Sequence, residues 1–375
     1  MLDTLKRLLA PEAKRSAAAP LIALHQTGRP QWTPRNYAAL AREGFAANAI
    51  GYRAVRMIAE AAASLPWLMY EGTREVTEHP LLSLLARPNP GQPGRDFTEQ
   101  VIGFLLVAGN SYVEKVEIDG APRELHALRP DRVKAVASSN GWAEGFEYSV
   151  NGQSVRLPRE SVLHLKLFNP LSDHYGMSPL EAAQRAIDTH NAASAWNKAM
   201  LDNSARPSGA LVYAAGDGQL TAEQFDRLKA ELEASYQGAS NAGRPMVLEG
   251  GLDWKQMGHS PKDMEFMAAK DGAAREIALA FGVPPMLLGI PGDNTFANYM
   301  EASRAFWRQT VLPLASRLAE AMTGFLGGGR YRLAHDLDQV EALAADREAL
   351  WARVGAASFL SDDEKRMAVG YGARG

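Results

Sequence analysis

The side chains that could do chemistry in this 375-residue chain are scattered rather than clustered. The eight histidines show no His-Glu-x-x-His pattern and no paired spacing on one helix face, so they assemble no metal site. Cysteine is absent, which removes thiolate ligands, thiol nucleophiles and disulfides and makes the fold indifferent to redox state. A serine nucleophile calls for a strand-to-helix elbow such as Gly-x-Ser-x-Gly, and none occurs. No Gly-x-x-x-x-Gly-Lys-Ser/Thr loop is present, and Gly216-Asp217-Gly218 lacks the third glycine and sets an acid where a pyrophosphate would lie. Asp336 and Asp338 are spaced like paired carboxylates, but at the start of a predicted helix over about 337–354 they read as charges serving the helix dipole. His164 alternates with apolar neighbours over residues 162–167 and reads as a strand residue, either solvent-facing or hydrogen-bonded. His190, on an alanine-rich helix, reads as a polar contact at an interface. The expectation is a protein with no catalytic centre, no cofactor and no metal.

Bulk properties narrow the classes further. Hydrophobic residues make up 46% of the chain and charged residues 22%, ordinary globular usage that excludes disorder or a membrane class for the bulk. At roughly 100 to 200 residues per domain, the length predicts two or three units with a sizeable core. The formal net charge is −3, whereas a protein that grips DNA carries a strong basic bias, so any contact with nucleic acid is expected to be local and weak. No run reaches the ~18 uninterrupted apolar residues of a spanning helix. Residues 1–10 read as a short amphipathic helix bearing Lys6 and Arg7 and not as a signal peptide, because charge breaks the apolar run; a cytoplasmic product is expected.

The elements that must hold these groups are clearly punctuated. Residues 11–31 are rich in Ala, Pro, Lys and Arg without periodicity and read as a mobile arm. Thr33 is expected to cap a helix with Pro34 at its first position, and a second helix over about 46–63 turns Ile50, Val55, Ile58 and Ala62 inward. Residues 65–70 read as a strand, and Asp96 with Glu99 as a capping-box-like start to a helix that Gly109 ends. Residues 111–167 become an antiparallel sheet region, with Asp119-Gly120, Asn140-Gly141 and Asn151-Gly152 as hairpin turns. Ser178-Pro179-Leu180-Glu181 is a capping box opening a helix to about residue 202, with Ala182, Ala183, Ala186, Ala192, Ala193, Ala195 and Ala199 around much of its circumference. Residues 204–258 read as a small α+β insertion: a strand at 208–214, a helix capped by Thr221 and striped by Phe225, Leu228, Leu232 and Tyr236, and a hairpin of 246–248 with 252–257 about Gly250-Gly251. Ser260-Pro261 begins the next helix, and Ser361 to Glu364 form a capping box for a last short one.

Residues 273–322 carry the densest signal. A helix stops at Gly282-Val283-Pro284-Pro285, since neither proline donates an N–H and each disfavours helix in the residue before it. Gly289, Pro291, Gly292, Asp293 and Asn294 supply turn chemistry, while Met286, Leu287, Leu288, Ile290 and Phe296 keep the linker apolar. A helix of roughly 40 Å then presents Met300, Trp307, Val311, Leu314, Leu318, Ala321 and Phe325 on one face, with Pro313 expected to kink it.

Several spaced motifs, in order along nearly the whole chain, resemble the portal protein, or head-to-tail connector, of tailed bacteriophages. They are the run 48–60 with Leu65-Pro66-Trp67, Leu85-Ala86-Arg87-Pro88-Asn89-Pro90, Gly109-Asn110-Ser111-Tyr112, Gly176-Met177-Ser178-Pro179-Leu180, residues 282–289 and residues 360–366. The short length and alanine-rich character also resemble the portal of a gene transfer agent. The resemblance implies an α+β portal fold: an arm at 1–24, a wing at 25–177, stem helices at 178–203 and 259–282, a clip at 204–258, a tunnel loop at 283–296, a long wing helix at 297–326 and a reduced crown at 327–375. It implies a channel-facing loop of Ile290, Pro291, Gly292, Asp293, Asn294, Thr295 and Phe296, with Asp293 uncompensated by any cation in the loop. It implies stem interfaces through Ala186, His190, Ala193, Asn197, Met264 and Met267, and clip docking through Phe225, Arg227, Leu228, Tyr236 and Trp254. The implied partners are a dodecameric ring of like subunits, the major capsid protein, the large terminase, a neck adaptor and double-stranded DNA passing without sequence specificity, with no membrane. The implied location is a capsid vertex of a virion or phage-like particle assembled in the bacterial cytoplasm. The residues alone leave open a soluble enzyme with a dispersed site or a DNA-binding adaptor.

Overall fold

The computed structural model describes residues 32–137, 143–202, 209–213, 221, 223, 226–227, 230, 252–256, 266–292 and 295–372. The predicted arm at 1–24 and the Asn140-Gly141 turn lie outside these residues.

Helix α1 (Tyr37–Ala39) runs on as a π-helical stretch, Leu40–Ala46, and hands over to α2 (Ala49–Ala63). Asn36, not Thr33, caps α1, accepting from Ala39 N, while the Thr33 hydroxyl donates to Asp188 Oδ1 at 2.5 Å and its backbone N–H to Asp188 Oδ2 at 2.9 Å. The predicted cap is thus spent on a distant helix, because a nearby carboxylate outcompetes the local backbone as a partner. Gly44 and Gly51 let these segments cross: a Cβ on Gly51 would stand 2.1 Å from the Gly44 carbonyl oxygen. Helix α2 buries Val55, Ile58 and Ala62, as expected, together with Gly51, Ala54, Ala59 and Ala63; Ile50 is only partly covered.

Strand β1 (Trp67–Glu71) pairs with the short β2 (Arg74–Glu75), and α3 (Pro80–Ala86) leads to α4 (Gly94–Ala108). The capping box expected at Asp96 and Glu99 does not form; Pro93 precedes the helix with no side-chain cap, and Glu99 instead pairs with Arg56 at 3.5 Å. Gly109 ends α4 with φ 71°. Strands β3 (Asn110–Ile118), β4 (Ala121–Leu128) and later β8 (Val162–Lys166) form one antiparallel sheet in the order β4-β3-β8. Strands β5 (Val133–Ala137), β6 (Ala143–Val150) and β7 (Gln153–Pro158) form another in chain order. Asp119-Gly120 and Asn151-Gly152 turn with positive φ, as predicted. Tyr112, Leu128, Val133, Phe146 and Val162 make a core of their own between these sheets.

Ser178 caps α5 (Pro179–Ala182), which passes into α6 (Gln184–Asp202). Beyond it, β9 (Gly209–Tyr213) pairs antiparallel with β10 (Leu252–Gln256), with Trp254 opposite Leu211. The predicted partner 246–248, the Gly250-Gly251 turn, and Phe225, Leu228, Leu232 and Tyr236 lie outside the described residues. Helix α7 (Phe266–Phe281) packs along α6.

The long helix is three segments: α8 (Phe296–Phe306), a π-helical stretch Trp307–Val311, and α9 (Leu312–Leu326). Pro313 lies in the first turn of α9, directly after the widened turn. Its missing N–H therefore costs least where the regular i→i−4 ladder is already interrupted. The extra residue in that turn also rotates the apolar face: Phe306, Val311, Ala315, Leu318, Ala319, Met322 and Leu326 are buried, Trp307, Leu314, Ala321 and Phe325 flank them, and Met300 stays exposed. Strand β11 (Tyr331–His335) then returns to pair with β1, Trp67 opposite His335. Helices α10 (Ala344–Ala356) and α11 (Asp362–Ala368) close the chain, the latter with the expected Ser361–Glu364 capping box.

One core joins α2, α4, α7 and α9 around Ile58, Val101, Ile102, Leu105, Leu180, Ile187, Ile277, Leu318 and Met322. Burying each such side chain contributes about 1.5–3 kcal/mol before chain entropy is subtracted, so this junction is the rigid base from which the loop after α7 projects.

Candidate functional site

The loop between α7 and α8 is built by two successive glycine closures. At the first, Gly282 takes φ +66°, its N–H donates to Leu279 O at 2.9 Å, and Val283 N–H donates to Ala278 O at 2.9 Å. This is a Schellman closure, and glycine meets the left-handed conformation without a Cβ penalty. The Thr310 hydroxyl donates to the Gly282 carbonyl at 2.5 Å, fastening the stop to the π-helical stretch. Pro285–Leu288 then make one 3-10 turn, Gly289 takes φ +73°, and Ile290 N–H reaches back to Pro285 O at 3.2 Å. Ile290 packs on Ala274 and Ala278 and is 4% exposed.

That burial corrects the sequence expectation for Ile290, which anchors the loop in the subunit and cannot line a channel. Pro291 and Gly292 are exposed, and Thr295 caps α8, its side chain accepting from Asn298 N at 3.2 Å. Phe296 is 81% exposed, and Tyr299 and Met300 follow it on the uncovered start of α8. Asp293 and Asn294 lie outside the described residues. The expectation of a loop without a cation omitted Arg275 of α7, whose guanidinium donates to the Pro291 carbonyl. Only an i,i+16 relation links the two residues, a distance at which local pattern is silent.

Of the predicted stem contacts, Ala186, His190 and Ala193 are buried inside the subunit. His190 Nδ1 lies 3.2 Å from Asn48 Nδ2, which also donates to Asn191 Oδ1 at 2.9 Å while Asn48 Oδ1 caps α2 at Ile50 N and Gly51 N. Burial, with nearby Lys270 adding to it, pushes the His190 pKa down. Helix α6 is thereby packed against the π-helical stretch Leu40–Ala46 and α7, with His190 reaching the Asn48 cap of α2, and the outward stripe of α6 is Arg185, Thr189, Ala192, Ala195 and Ala199. Asn197 donates to Met267 Sδ at 3.9 Å, and Met267 is exposed. Met264 falls outside the described residues. In the insertion, Arg227 is exposed and helical and Trp254 lies on β10; the other docking residues are not among those described.

Two quoted motifs turn out to be one contact. Asn110 Oδ1 accepts from Gly176 N at 2.7 Å and lies 3.0 Å from His164 Nε2, and Asn110 Nδ2 donates to Ala108 O at 2.9 Å. A Cβ on Gly109 would meet Gly176 O at 2.6 Å, and one on Gly176 would meet Gly109 O at 2.0 Å. His164 is stacked on Tyr112 and edged by Phe146, and burial lowers its pKa to about 4. It is a hydrogen-bonded partner and not a solvent-facing base. His335, its ring tilted 40° against Trp67 with centroids 4.1 Å apart, is likewise pushed to about 4 by burial. The Pro66, Leu65 and Ala315 carbonyls oppose that shift, but none is aligned as a hydrogen-bond partner. Asp336 and Asp338 do not start a helix: Asp336 Oδ1 accepts Asp338 N–H, and Asp338 pairs with Arg347 and accepts from the Tyr371 hydroxyl. Their predicted helix begins only at Ala344, so the carboxylates serve this C-terminal cluster and not a dipole. No grouping of His, Asp or Glu among the described residues could hold a metal ion.

A loop closed twice by glycine and an exposed aromatic helix start stand on a base of side chains engaged in packing. Residues 49–370 match the phage portal protein family. The chain belongs to that family. It is 42% identical over 338 residues to a protein of Rickettsia bellii (strain RML369-C), covering 88% of each chain. It is 26% identical to the probable portal protein of Streptomyces phage phiC31, covering 84% of this chain and 73% of that one. Among solved structures it is similar to a chain in the neck of a native gene transfer agent particle computed with C12 symmetry, with 53% identity, coverage of 92% and 96%, and a TM-score of 0.69. The α+β architecture is the portal fold, and the portal role is structural.

Proposed function

We propose that twelve copies of this portal protein close into a ring at one vertex of a phage-like particle, most simply a gene transfer agent, and that double-stranded DNA enters and leaves through its axis. The observation that carries this reading is the 53% identical chain seated in a particle neck with C12 symmetry. In the ring, residues 25–177 with the long helix form the wing, 178–203 and 259–282 the stem, 204–258 the clip and 327–375 the crown. Residues 291–296 with Phe296 foremost face the channel, and the outward stripe of α6 with Met267 meets the neighbouring subunit. The large terminase docks during packaging and a neck adaptor afterwards, with the major capsid protein around the wing; no reaction is catalysed.

Physical sense follows from charge. Each phosphate contact adds a salt-dependent sticking term, so a conduit works best with few exposed cations along its lumen. A chain with formal charge −3 carries no overall basic bias against that condition. Native mass spectrometry with negative-stain imaging of the purified protein, alone and from particles, tests the ring. Annular twelve-membered species support the reading, and single copies in both preparations sink it.

A further inference from the structure

Two large apolar side chains stand in water on a loop whose backbone is firmly held. Phe168 and Leu171, each 80% exposed, lie in residues 167–177, between β8 and α5. Asn169 folds the segment on itself: its Oδ1 accepts from Leu171 N at 2.9 Å and its Nδ2 donates to Tyr175 O at 2.9 Å. Tyr175 N donates to Ser172 Oγ at 3.1 Å, the Tyr175 hydroxyl accepts from Ala135 N at 3.1 Å, and Lys166 Nζ donates to Asp173 O. A loop ordered in advance pays little conformational entropy when it meets a partner, so this apolar pair is presented for docking.

The other flank of α9 carries a complementary shape. Helix α9 packs against both β8 and β11, and Arg317 Nη1 donates to Lys166 O at 3.2 Å, at the root of the loop. The stripe of Ala315 and Ala319 is turned roughly 130° away from Arg317 on a helix advancing ~100° per residue. With β11 that stripe forms a groove of about 480 Å³, lined by Leu312, Ala315, Ala319 and Leu337. The exposed Glu320 and Arg332 also line it, and the loop carries the exposed Lys166 and Asp173, so each side offers one acid and one base. Because α9 stands between them, the loop is barred from its own groove. We propose that Phe168 and Leu171 of one copy seat in this groove on the next copy, with Lys166 toward Glu320 and Asp173 toward Arg332. A contact that joins two different faces repeats around an axis and closes into a ring, whereas a self-complementary patch stops at a pair. The inference rests on the ring proposed above and adds a contact that builds it.

Cross-linking tests the pairing directly, because the chain has no cysteine of its own and only introduced thiols react. A chain carrying both Leu171→Cys and Ser316→Cys, Ser316 lying exposed in the groove, links to a neighbour on either side. Treated as assembled rings with a short bismaleimide, it gives a ladder of multimers on a denaturing gel, and each single variant runs as a monomer. The double variant Phe168→Ser, Leu171→Ser keeps the melting temperature of the single chain, since both side chains are already in water, and lowers ring yield at least tenfold by mass photometry. Rings of the double-cysteine variant that give no ladder overturn the pairing and leave the ring itself standing. Normal ring yield from the serine variant does the same and assigns the loop to a partner of another kind, such as the capsid around it. Single copies from the parent and every variant, in particles as well as in solution, overturn the ring and the pairing together.

Discussion

At the scale of single residues the tightest constraint is the crossing of Gly109 and Gly176. Gly109→Ala places a Cβ at φ 71° and within 2.6 Å of a backbone oxygen, so neither rotamer change nor a neighbour's retreat relieves it. We expect a loss of about 3 kcal/mol or more, from left-handed strain plus overpacking, read as a shift of the urea midpoint at unchanged slope. The two buried histidines give a pH dependence of definite sign. His164 and His335 titrate near 6.5 when unfolded and near 4 when folded, so the unfolded chain binds more protons between those values. Their contribution is complete above about pH 6.5 and is lost as pH falls toward 4, by up to ~3 kcal/mol for each. His335→Phe, which keeps a ring beside Trp67, should remove about half of the dependence of stability on pH over that window, His164 supplying the rest; an unchanged profile would contradict the assignment. Little of this was legible in the chain itself. Asn110 and Gly176 were each recognisable as motif residues, but 66 positions separate them and no local pattern says that one caps the other.

Elements were far more readable, and their errors have physical causes. Turns that demand positive φ announced themselves at Asp119, Asn151, Gly109, Gly282 and Gly289, because few residue types tolerate that conformation. Side-chain caps were less reliable: Thr33 and Asp96 have the right chemistry, but Thr33 bonds Asp188 across the fold and Asp96 makes no cap. The face of the long helix was misjudged on its first half because a π-helical turn shifts phase without any composition cue. The stop of α7 offers the sharpest check. Gly282→Ala meets both the left-handed penalty and a Thr310 hydroxyl 2.9 Å away, and we expect about 1–2 kcal/mol of destabilisation. Thr310→Val, which keeps the volume and removes the donor, should cost about 1 kcal/mol by the same denaturation measurement.

For the whole molecule, the portion not covered by its own chain is what matters. Phe296, Tyr299 and Met300 form an exposed apolar patch at the start of α8 while the second half of the same helix is deeply buried. The double variant Tyr299→Asp, Met300→Asp, on the helix behind the proposed channel-facing Phe296, should leave the melting temperature of the single chain unchanged and reduce the yield of rings at least tenfold, measured by mass photometry; normal ring yield would place these two residues away from the contact between copies. The sequence motifs disclosed the architecture because they sit at turns and crossings that any such fold needs. The outward surface left no comparable mark, since alanines on the outside and alanines that fill an interior look alike until burial separates Ala186 and Ala193 from the exposed Ala192 and Ala195.

The pairing of β1 with β11 sets a schedule for the newborn chain. Trp67 emerges from the ribosome early and waits for His335, which is translated 268 residues later. Until then one edge of β1 has no partner, and α2 has no α9 to lie against. A subunit still being translated thus lacks part of the junction from which the loop after α7 projects, and only the full chain holds that loop in place.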